Sequence, residues 1–189
     1  MTREEAIKIV DELVKSPNIR NHCFAAEVAM TGLYDYLDKD KKIDAGSRGE
    51  WGIVGLLHDA DYESTNKSLE LHTEETTKKL REIDAPKIVI DAVRGHADKE
   101  PRETLMAKAI YAADEMTGLI VAAALVRPDK KLEGLSAGSV LKRFKEPAFA
   151  KGANRDQIKT CETELNIPLE KFADIVLDAM KGFSKDLGL

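Results

Sequence analysis

Residues 51–59 read WGIVGLLHD, an uncharged run that ends in a histidine and an aspartate. Ser47 precedes the run, and Glu50 lies three residues after Ser47, which is the spacing of a capping box and predicts a helix beginning there. Because the run carries no charge before its last residues, we expect the helix to be buried. His58 and Asp59 are therefore predicted to end a buried helix, where polar side chains need partners.

Helical periodicity continues on both sides of this run. Further helices are predicted at about 3–15, from Asn18 as the N-cap to about Leu37, and at about 69–82, 86–96, 103–125, 136–144, 154–165 and 168–183. No segment alternates in the manner of a strand, and aromatic residues make up only 5% of the chain, which favours helices over sheets. The sequence therefore predicts an all-α fold.

Length and composition limit the class of protein. The 189 residues suffice for one domain, and 43% hydrophobic residues suffice for a core, so we expect a folded chain rather than a disordered one. The net charge of −5 disfavours binding to duplex nucleic acid, which usually needs a basic surface. Small phosphorylated ligands are not excluded by this charge.

Targeting signals and disulfides are not expected. The chain has no apolar run of about 18 residues, so no membrane span is predicted, and its acidic amphipathic start is unlike a signal peptide. Cys23 and Cys161 offer no disulfide framework. These features predict a cytoplasmic protein without a membrane partner.

Polar side chains fall on the inward faces of several predicted helices. All four histidines share this property: His22, His58, His72 and His96. Asp59 follows His58, and Asp114 comes four residues after Ile110 in the longest apolar helix, where an unpaired charge would be costly. Six such groups favour a metal site over isolated buried residues, and mixed imidazole and carboxylate ligands suit Mn, Fe, Co, Ni or Zn better than Mg.

The order His, His-Asp, Asp on consecutive helices resembles the HD-domain superfamily of metal-dependent phosphohydrolases. The resemblance runs from residue 18 to about 127 and rests on NIRNHCFAAEVA (18–29), WGIVGLLHDADYE (51–63) and AIYAADEMTG (109–118). It implies one HD-type domain over 1–189, a helical bundle with a metal-binding core at about 18–127 and a helical extension at about 132–189.

The resemblance also implies the ligands and the activity. The metal ligands of the family fall on His22, His58, Asp59 and Asp114, and His72 and His96 are similar to the additional ligands of dinuclear members. In those members the aspartate at the position of Asp59 bridges two metals. The implied cofactor is one or two divalent transition-metal ions per chain, iron or manganese before nickel, cobalt or zinc. The implied activity is cleavage of a small phosphate ester, a nucleotide by family expectation, through metal-activated hydroxide.

Further candidates lie near these motifs. Asp59 is a candidate catalytic residue, and Asp61 and Glu63 are expected either to be catalytic too, by orienting water or protonating a leaving group, or to be solvated loop carboxylates. Arginine is a natural phosphate ligand, and the candidates for binding substrate phosphate are Arg20, Arg94, Arg127 and Arg143. Tyr62 stands where cyclic-dinucleotide phosphodiesterases of the family carry lysine, which argues against that activity.

Other functions remain open at this point. Some HD-fold proteins are diiron oxygenases with the same ligand order, so the spacing does not separate them from phosphohydrolases. A catalytically silent module that binds a nucleotide or a metal is a second alternative. In a third, the chain is a helical scaffold with histidines in its core, and a homodimer is left open.

Overall fold

The computed structural model describes residues 1–189, which form ten helices and no strand. The helices are α1 (Arg3–Leu13), α2 (Pro17–Asp38), α3 (Arg48–Leu57), α4 (Glu74–Glu82), α5 (Lys87–His96), α6 (Leu105–Leu125), α7 (Ala137–Phe144), α8 (Arg155–Glu164), α9 (Leu169–Lys181) and α10 (Ser184–Leu187). The predicted all-α class is confirmed, and the short α10 is an element that the periodicity did not predict.

The start of α3 forms as its capping box requires. The Ser47 hydroxyl accepts a hydrogen bond from the Glu50 backbone N–H at 3.3 Å, and the Glu50 carboxylate accepts one from the Ser47 N–H at 2.7 Å. The helix is buried from Trp51 to Leu57. Its last turn therefore delivers His58 into the interior of the protein.

Two predicted helix starts are wrong. The N-cap of α2 is Ser16 rather than Asn18, because Pro17 already fits the first helical position, where its missing N–H is not needed. The helix expected from residue 69 begins at Glu74, since Thr73 has a φ of 69° and a right-handed helix cannot pass through that conformation. Residues 58–73 form a succession of turns instead, and we call residues 60–73, which follow His58 and Asp59, the turn segment.

The long helix α2 lies at the centre of the protein, with α3, α6 and α9 packed against it. Contact with α3 is close enough that a Cβ atom at Gly55 would clash with the backbone of Ala26. Buried apolar side chains form one cluster of 47 residues that runs from Ala6 to Leu187. The C-terminal helices therefore share the core of the preceding ones, with α8 packed on α6 and α9 on α2.

None of the helices combines the length and the apolar content that a membrane span requires.

Candidate metal centre

The six predicted ligands come from five parts of the chain and meet at one place. His22 lies on α2 and Asp114 on α6, while His58 and Asp59 follow the last turn of α3. His96 is the last residue of α5, and His72 lies in the turn segment just before α4. These side chains form two groups of potential ligands, with all ligand atoms within 4.8 Å of one another in each group.

The first ligand group contains His22, His58, Asp59 and Asp114. The Nε2 atoms of the two histidines lie 3.1 Å apart. An Asp114 carboxylate oxygen is 2.9 Å from the Nε2 of His22 and 3.4 Å from that of His58. This group therefore brings together two imidazole nitrogens and two carboxylates, which lie on α2, on α6 and directly after α3.

The second ligand group contains Asp59, His72 and His96, and Asp59 joins it to the first. One oxygen of Asp59, Oδ2, lies 3.5 Å from the Nε2 of His22. The other, Oδ1, lies 3.1 Å from the Nε2 of His72 and 3.5 Å from that of His96. Each oxygen of this carboxylate thus faces a different ligand group.

Each histidine is oriented by a partner of its other ring nitrogen. His58 Nδ1 lies 2.7 Å from the carbonyl oxygen of Gly55, and His96 Nδ1 lies 2.5 Å from that of Val93. A carbonyl only accepts hydrogen bonds, so the proton of the neutral ring lies on Nδ1 and a lone pair remains on Nε2. Each lone pair points at the ligand groups, as in protein metal sites where a second partner fixes the ring.

This orientation tests whether the residues fit a metal ion. The Nε2 atoms of His72 and His96 face each other at 3.0 Å, and those of His22 and His58 at 3.1 Å. Two lone pairs at such a distance repel each other unless a proton or a metal cation lies between them. With two carboxylates beside the four imidazoles, these residues have the chemistry to hold a metal ion.

Without a metal, protons provide the positive charge at the site. Burial lowers the pKa of His22, but its hydrogen bond to Asp114 and the charges of Asp114 and Asp59 outweigh burial and raise this pKa to about 9. For His72, burial is likewise outweighed by the hydrogen bonds to Asp59 and Asp61, which raise its pKa to about 9. Burial acts to raise the pKa of Asp59, yet the surrounding histidines hold it well below its usual range.

Asp61 is neither at the reacting centre nor in solvent, which differs from both expectations for it. The residue is fully buried, and its Oδ1 accepts hydrogen bonds from His72 Nδ1 at 3.0 Å and from the Thr73 N–H at 2.8 Å. Its Oδ2 accepts the Thr76 N–H at 3.0 Å, in the first turn of α4. These hydrogen bonds outweigh burial and lower the pKa of Asp61, so the carboxylate is ionised and orients His72.

Glu63 lies apart from the ligand groups. Its carboxylate accepts hydrogen bonds from the backbone N–H groups of Lys15 and Ser16 at 2.9 and 2.8 Å, which lower its pKa. The side chain therefore ties the turn segment to the connection between α1 and α2. In this position it does not contact the atoms that would react.

The four arginines that were candidates for binding phosphate do not reach the ligand groups. Each is paired with a carboxylate instead: Arg20 with Asp11, Arg94 with Glu74 and Glu100, Arg127 with Asp129, and Arg143 with Glu146. None of them lines the cavity above the ligands. The sequence could not place them, because an arginine on a helix face has the same pattern whether it binds a ligand or a neighbouring carboxylate.

A cavity of about 620 Å³ opens onto the ligand groups. Besides the ligand side chains, it is lined by Tyr62, Asp98, Glu115 and Gln157 and by the loop around Gly152. Burial, then the charge of Asp114, raises the pKa of Glu115 to about 7. The cavity has no lysine or arginine in its lining, and α8 contributes to it through Gln157.

Some of these residues were missed by reading the sequence. Glu115 adjoins Asp114 and could have been found as a second acidic residue in an apolar helix. Thr117 Oγ1 lies 3.4 Å from His22 Nδ1 and donates to the Asp114 carbonyl oxygen, a polar position that the pattern of α6 does contain. Gln157 carries no signal of its own, because only the tertiary packing of α8 brings it to the cavity.

Comparison with known proteins gives no match to a protein-family model, to a curated protein or to a solved structure. The fold and the site therefore define the class of protein: an all-helical chain with a largely buried His/Asp cluster that could hold a metal ion.

Proposed function

We propose that this protein is a metal-dependent phosphohydrolase of the HD type, which cleaves a small phosphate ester at two divalent transition-metal ions. One observation carries the proposal: Asp59 presents its two oxygens to two separate ligand groups, each completed by histidines. The resemblance of residues 18–127 to HD-domain sequences supports the same assignment, with iron or manganese as the metal.

A bound pair of divalent cations would supply charge neutralisation at phosphate oxygens and an acidified water as nucleophile. In the overall reaction the bond between phosphorus and the alcohol oxygen breaks, water oxygen joins phosphorus, and a proton passes to the alcohol. Asp59 would hold the two cations at a fixed separation. Asp61 would keep His72 in the ligating orientation, and α2, α3 and α6 would exclude bulk water from the buried side.

An oxygen-activating diiron enzyme is the second candidate. The specific observation in its favour is the cavity lining, which contains Asp98, Glu115 and Gln157 but no lysine or arginine. Carboxylates accept hydrogen bonds from hydroxyl groups, and an amide both accepts and donates them, so this lining suits an uncharged hydroxylated substrate. The two candidates share their ligands and differ in the substrate and in the need for dioxygen.

The test begins with metal analysis by mass spectrometry on protein purified without a histidine tag or a chelator, before and after reconstitution with Mn²⁺ or Fe²⁺. We expect about two equivalents per chain and a melting temperature that falls when a chelator removes the metal. Release of phosphate from p-nitrophenyl phosphate is then measured under anaerobic conditions. Oxygen uptake by the iron-loaded protein is measured in parallel with hydroxylated compounds.

Phosphate release without oxygen supports the hydrolase. Substrate-dependent oxygen uptake by a protein that releases no phosphate would replace this proposal with the diiron oxygenase. Failure to retain any metal after reconstitution would overturn both and leave a helical binding module or scaffold. Asp98→Ala serves as a matched control for Asp59→Ala, the variant that removes the shared ligand, because Asp98 lines the same cavity outside both ligand groups.

A further inference from the structure

A second cavity adjoins the one above the ligand groups. Its volume is about 470 Å³, and it lies between α2, the second half of α6 and the C-terminal α10. Val121, Leu125 and Leu187 line it together with Asn18 and Asn21. Two residues, His22 and Gly118, line both cavities, so the second one begins at a ligand of the candidate metal centre.

One face of α6 runs from the first cavity into the second. Asp114, Gly118, Val121 and Leu125 follow at intervals of three or four residues, which places them on the same side of the helix. The face is acidic at Asp114 and apolar beyond Gly118. Leu125 is 49% exposed at the far end of this face, although it lines the second cavity.

Gly118 lies where the two cavities meet. A Cβ atom built at this position would have no atom within 4 Å, so packing does not require a glycine here. Glycine in the interior of a helix is destabilising relative to alanine. The absence of a side chain at Gly118 therefore leaves space unfilled beside both cavities, which a larger residue would occupy.

The charge around the two cavities indicates what could lie there. Neither lining contains a lysine or an arginine, and the second contains only apolar residues, asparagines, glycines and His22. A phosphate group would find positive charge only at the metal ions of the candidate centre. Additional phosphates or other anionic groups would meet Glu115 and Asp98 in the first cavity and uncharged side chains in the second.

On the basis of the proposed function, we propose that the substrate is a phosphate monoester with an uncharged, apolar alcohol part. This part lies along α6 beyond Gly118. The phosphate occupies the first cavity, beside the ligand groups. The alcohol part passes Gly118 and contacts Val121, Leu125 and Leu187. Gly118 is then a specificity-determining position, because a larger side chain there would close the passage without touching the ligands.

The test uses the full chain loaded with Mn²⁺ and two pairs of probes that differ only in the alcohol part. Methylphosphonate and hexylphosphonate, which are not hydrolysed, report binding by calorimetry. Methyl phosphate and hexyl phosphate report kcat/KM, with adenosine 5′-monophosphate as a polar comparison. Gly118→Leu is compared with Gly138→Leu, a matched substitution on the exposed face of α7, where a Cβ atom makes only an ordinary contact.

We expect hexylphosphonate to bind at least about tenfold more tightly than methylphosphonate, since its five additional methylene groups would leave water for an apolar surface. Gly118→Leu should weaken hexylphosphonate binding at least about tenfold and methylphosphonate binding less than about threefold, because the leucine side chain would occupy the space of the hexyl chain but not that of the phosphonate. Its metal content should match that of the unchanged protein and of Gly138→Leu. The kcat/KM values should change in the same order as the affinities.

Equal binding of the two phosphonates, or an equal loss of both in Gly118→Leu, would overturn this inference. A kcat/KM for adenosine 5′-monophosphate well above that for hexyl phosphate would overturn it as well. In these cases hydrolysis of any ester keeps the proposed function. If the metal-loaded protein hydrolyses no ester at all, the proposed function fails first, and the substrate assignment fails with it.

Discussion

The two ligand groups of the candidate metal centre are supported by different kinds of structure. The first group stands on α2, α3 and α6, which pack closely enough that Gly55 has no room for a side chain. The second group depends on the turn segment, which carries His72 and is held by the buried carboxylate of Asp61. Helix packing thus fixes the first group, whereas in the second group a hydrogen-bonded carboxylate fixes His72.

The difference shows how each group can be perturbed. Helix packing depends on many contacts at once, so metal binding by the first group should be sensitive to side-chain volume between α2 and α3. The second group should respond to the loss of individual hydrogen bonds, because Asp61 accepts three of them in one place. Asp59 belongs to both groups, so its loss should impair metal binding by both of them.

The largest effect is expected for Asp59→Ala. The substitution removes one carboxylate oxygen from each group, so metal content should fall from about two equivalents per chain to about none, together with hydrolytic activity. Mass spectrometry of the purified, reconstituted variant measures this. Asp98→Ala should keep both equivalents, and full metal occupancy in Asp59→Ala would show that the ligand assignment is wrong.

Gly55→Ala should disturb the first group through packing alone. The new Cβ atom would meet the Ala26 backbone, which cannot move aside as a flexible side chain can. We expect a loss of about 2 kcal/mol in the free energy of unfolding, or roughly 4–8 °C in Tm. Thermal unfolding and metal titration together measure whether the first ion is weakened more than the second.

Gly49→Ala is the matched control on the same helix. A Cβ atom there comes within 4 Å only of the Ser47 hydroxyl, at 4.0 Å, so the substitution should leave Tm unchanged or slightly raised. If Gly55→Ala were equally harmless, close packing of α2 on α3 would not be what holds the first group. If both ions were bound equally more weakly, the two groups would not differ in how the structure holds them.

The sequence predicted the first group better than the second for the same physical reason. His58 and Asp114 follow from helical periodicity, because an uncharged run before His58 and apolar neighbours around Asp114 mark buried faces. His72 was placed on a helix that starts five residues too early. Its true position depends on the left-handed backbone at Thr73 and on hydrogen bonds to Asp61, which no periodic pattern encodes.

The surroundings of the ligands were harder to predict than the ligands themselves. Asp61 and Glu63 have the same appearance in the sequence, yet one is fully buried beside His72 and the other binds the N-terminus of α2. Gln157 reaches the cavity only because α8 packs on α6. Tertiary contacts of this kind decide substrate binding, and a single sequence does not specify them.

Asp61→Asn should weaken the second ion and leave the first in place. An asparagine has one acceptor oxygen, so its amide group would oppose either the His72 Nδ1–H or the N–H of Thr76. Loss of such a partner typically lowers metal affinity about 10–100-fold. Competition titrations with a chelator should therefore resolve one weakened and one unchanged site.

Glu63→Gln is the control for this variant, since Glu63 belongs to the same turn segment but binds only Lys15 and Ser16. Its two metal affinities should equal those of the unchanged protein. If both ions were weakened alike in Asp61→Asn, the two groups would be one coupled unit, and the contrast between them would not hold.

The smallest effect is expected for Cys23→Ser, although Cys23 adjoins His22. The side chain is fully buried, and burial together with the charges of Asp59 and Asp114 raises the pKa of its thiol. Cys23 belongs to neither ligand group, so metal content should not change, while a buried hydroxyl without a partner should cost about 1 kcal/mol of stability. Cys161→Ser, also buried but on α8, should show the same loss of stability. Absorption spectroscopy of the cobalt-substituted protein is the more sensitive measurement. An intense thiolate-to-metal band that disappears in Cys23→Ser would show that a sulfur ligand belongs to the first group. The two ligand groups would then differ in the chemistry of their ligands rather than in the structure that holds them.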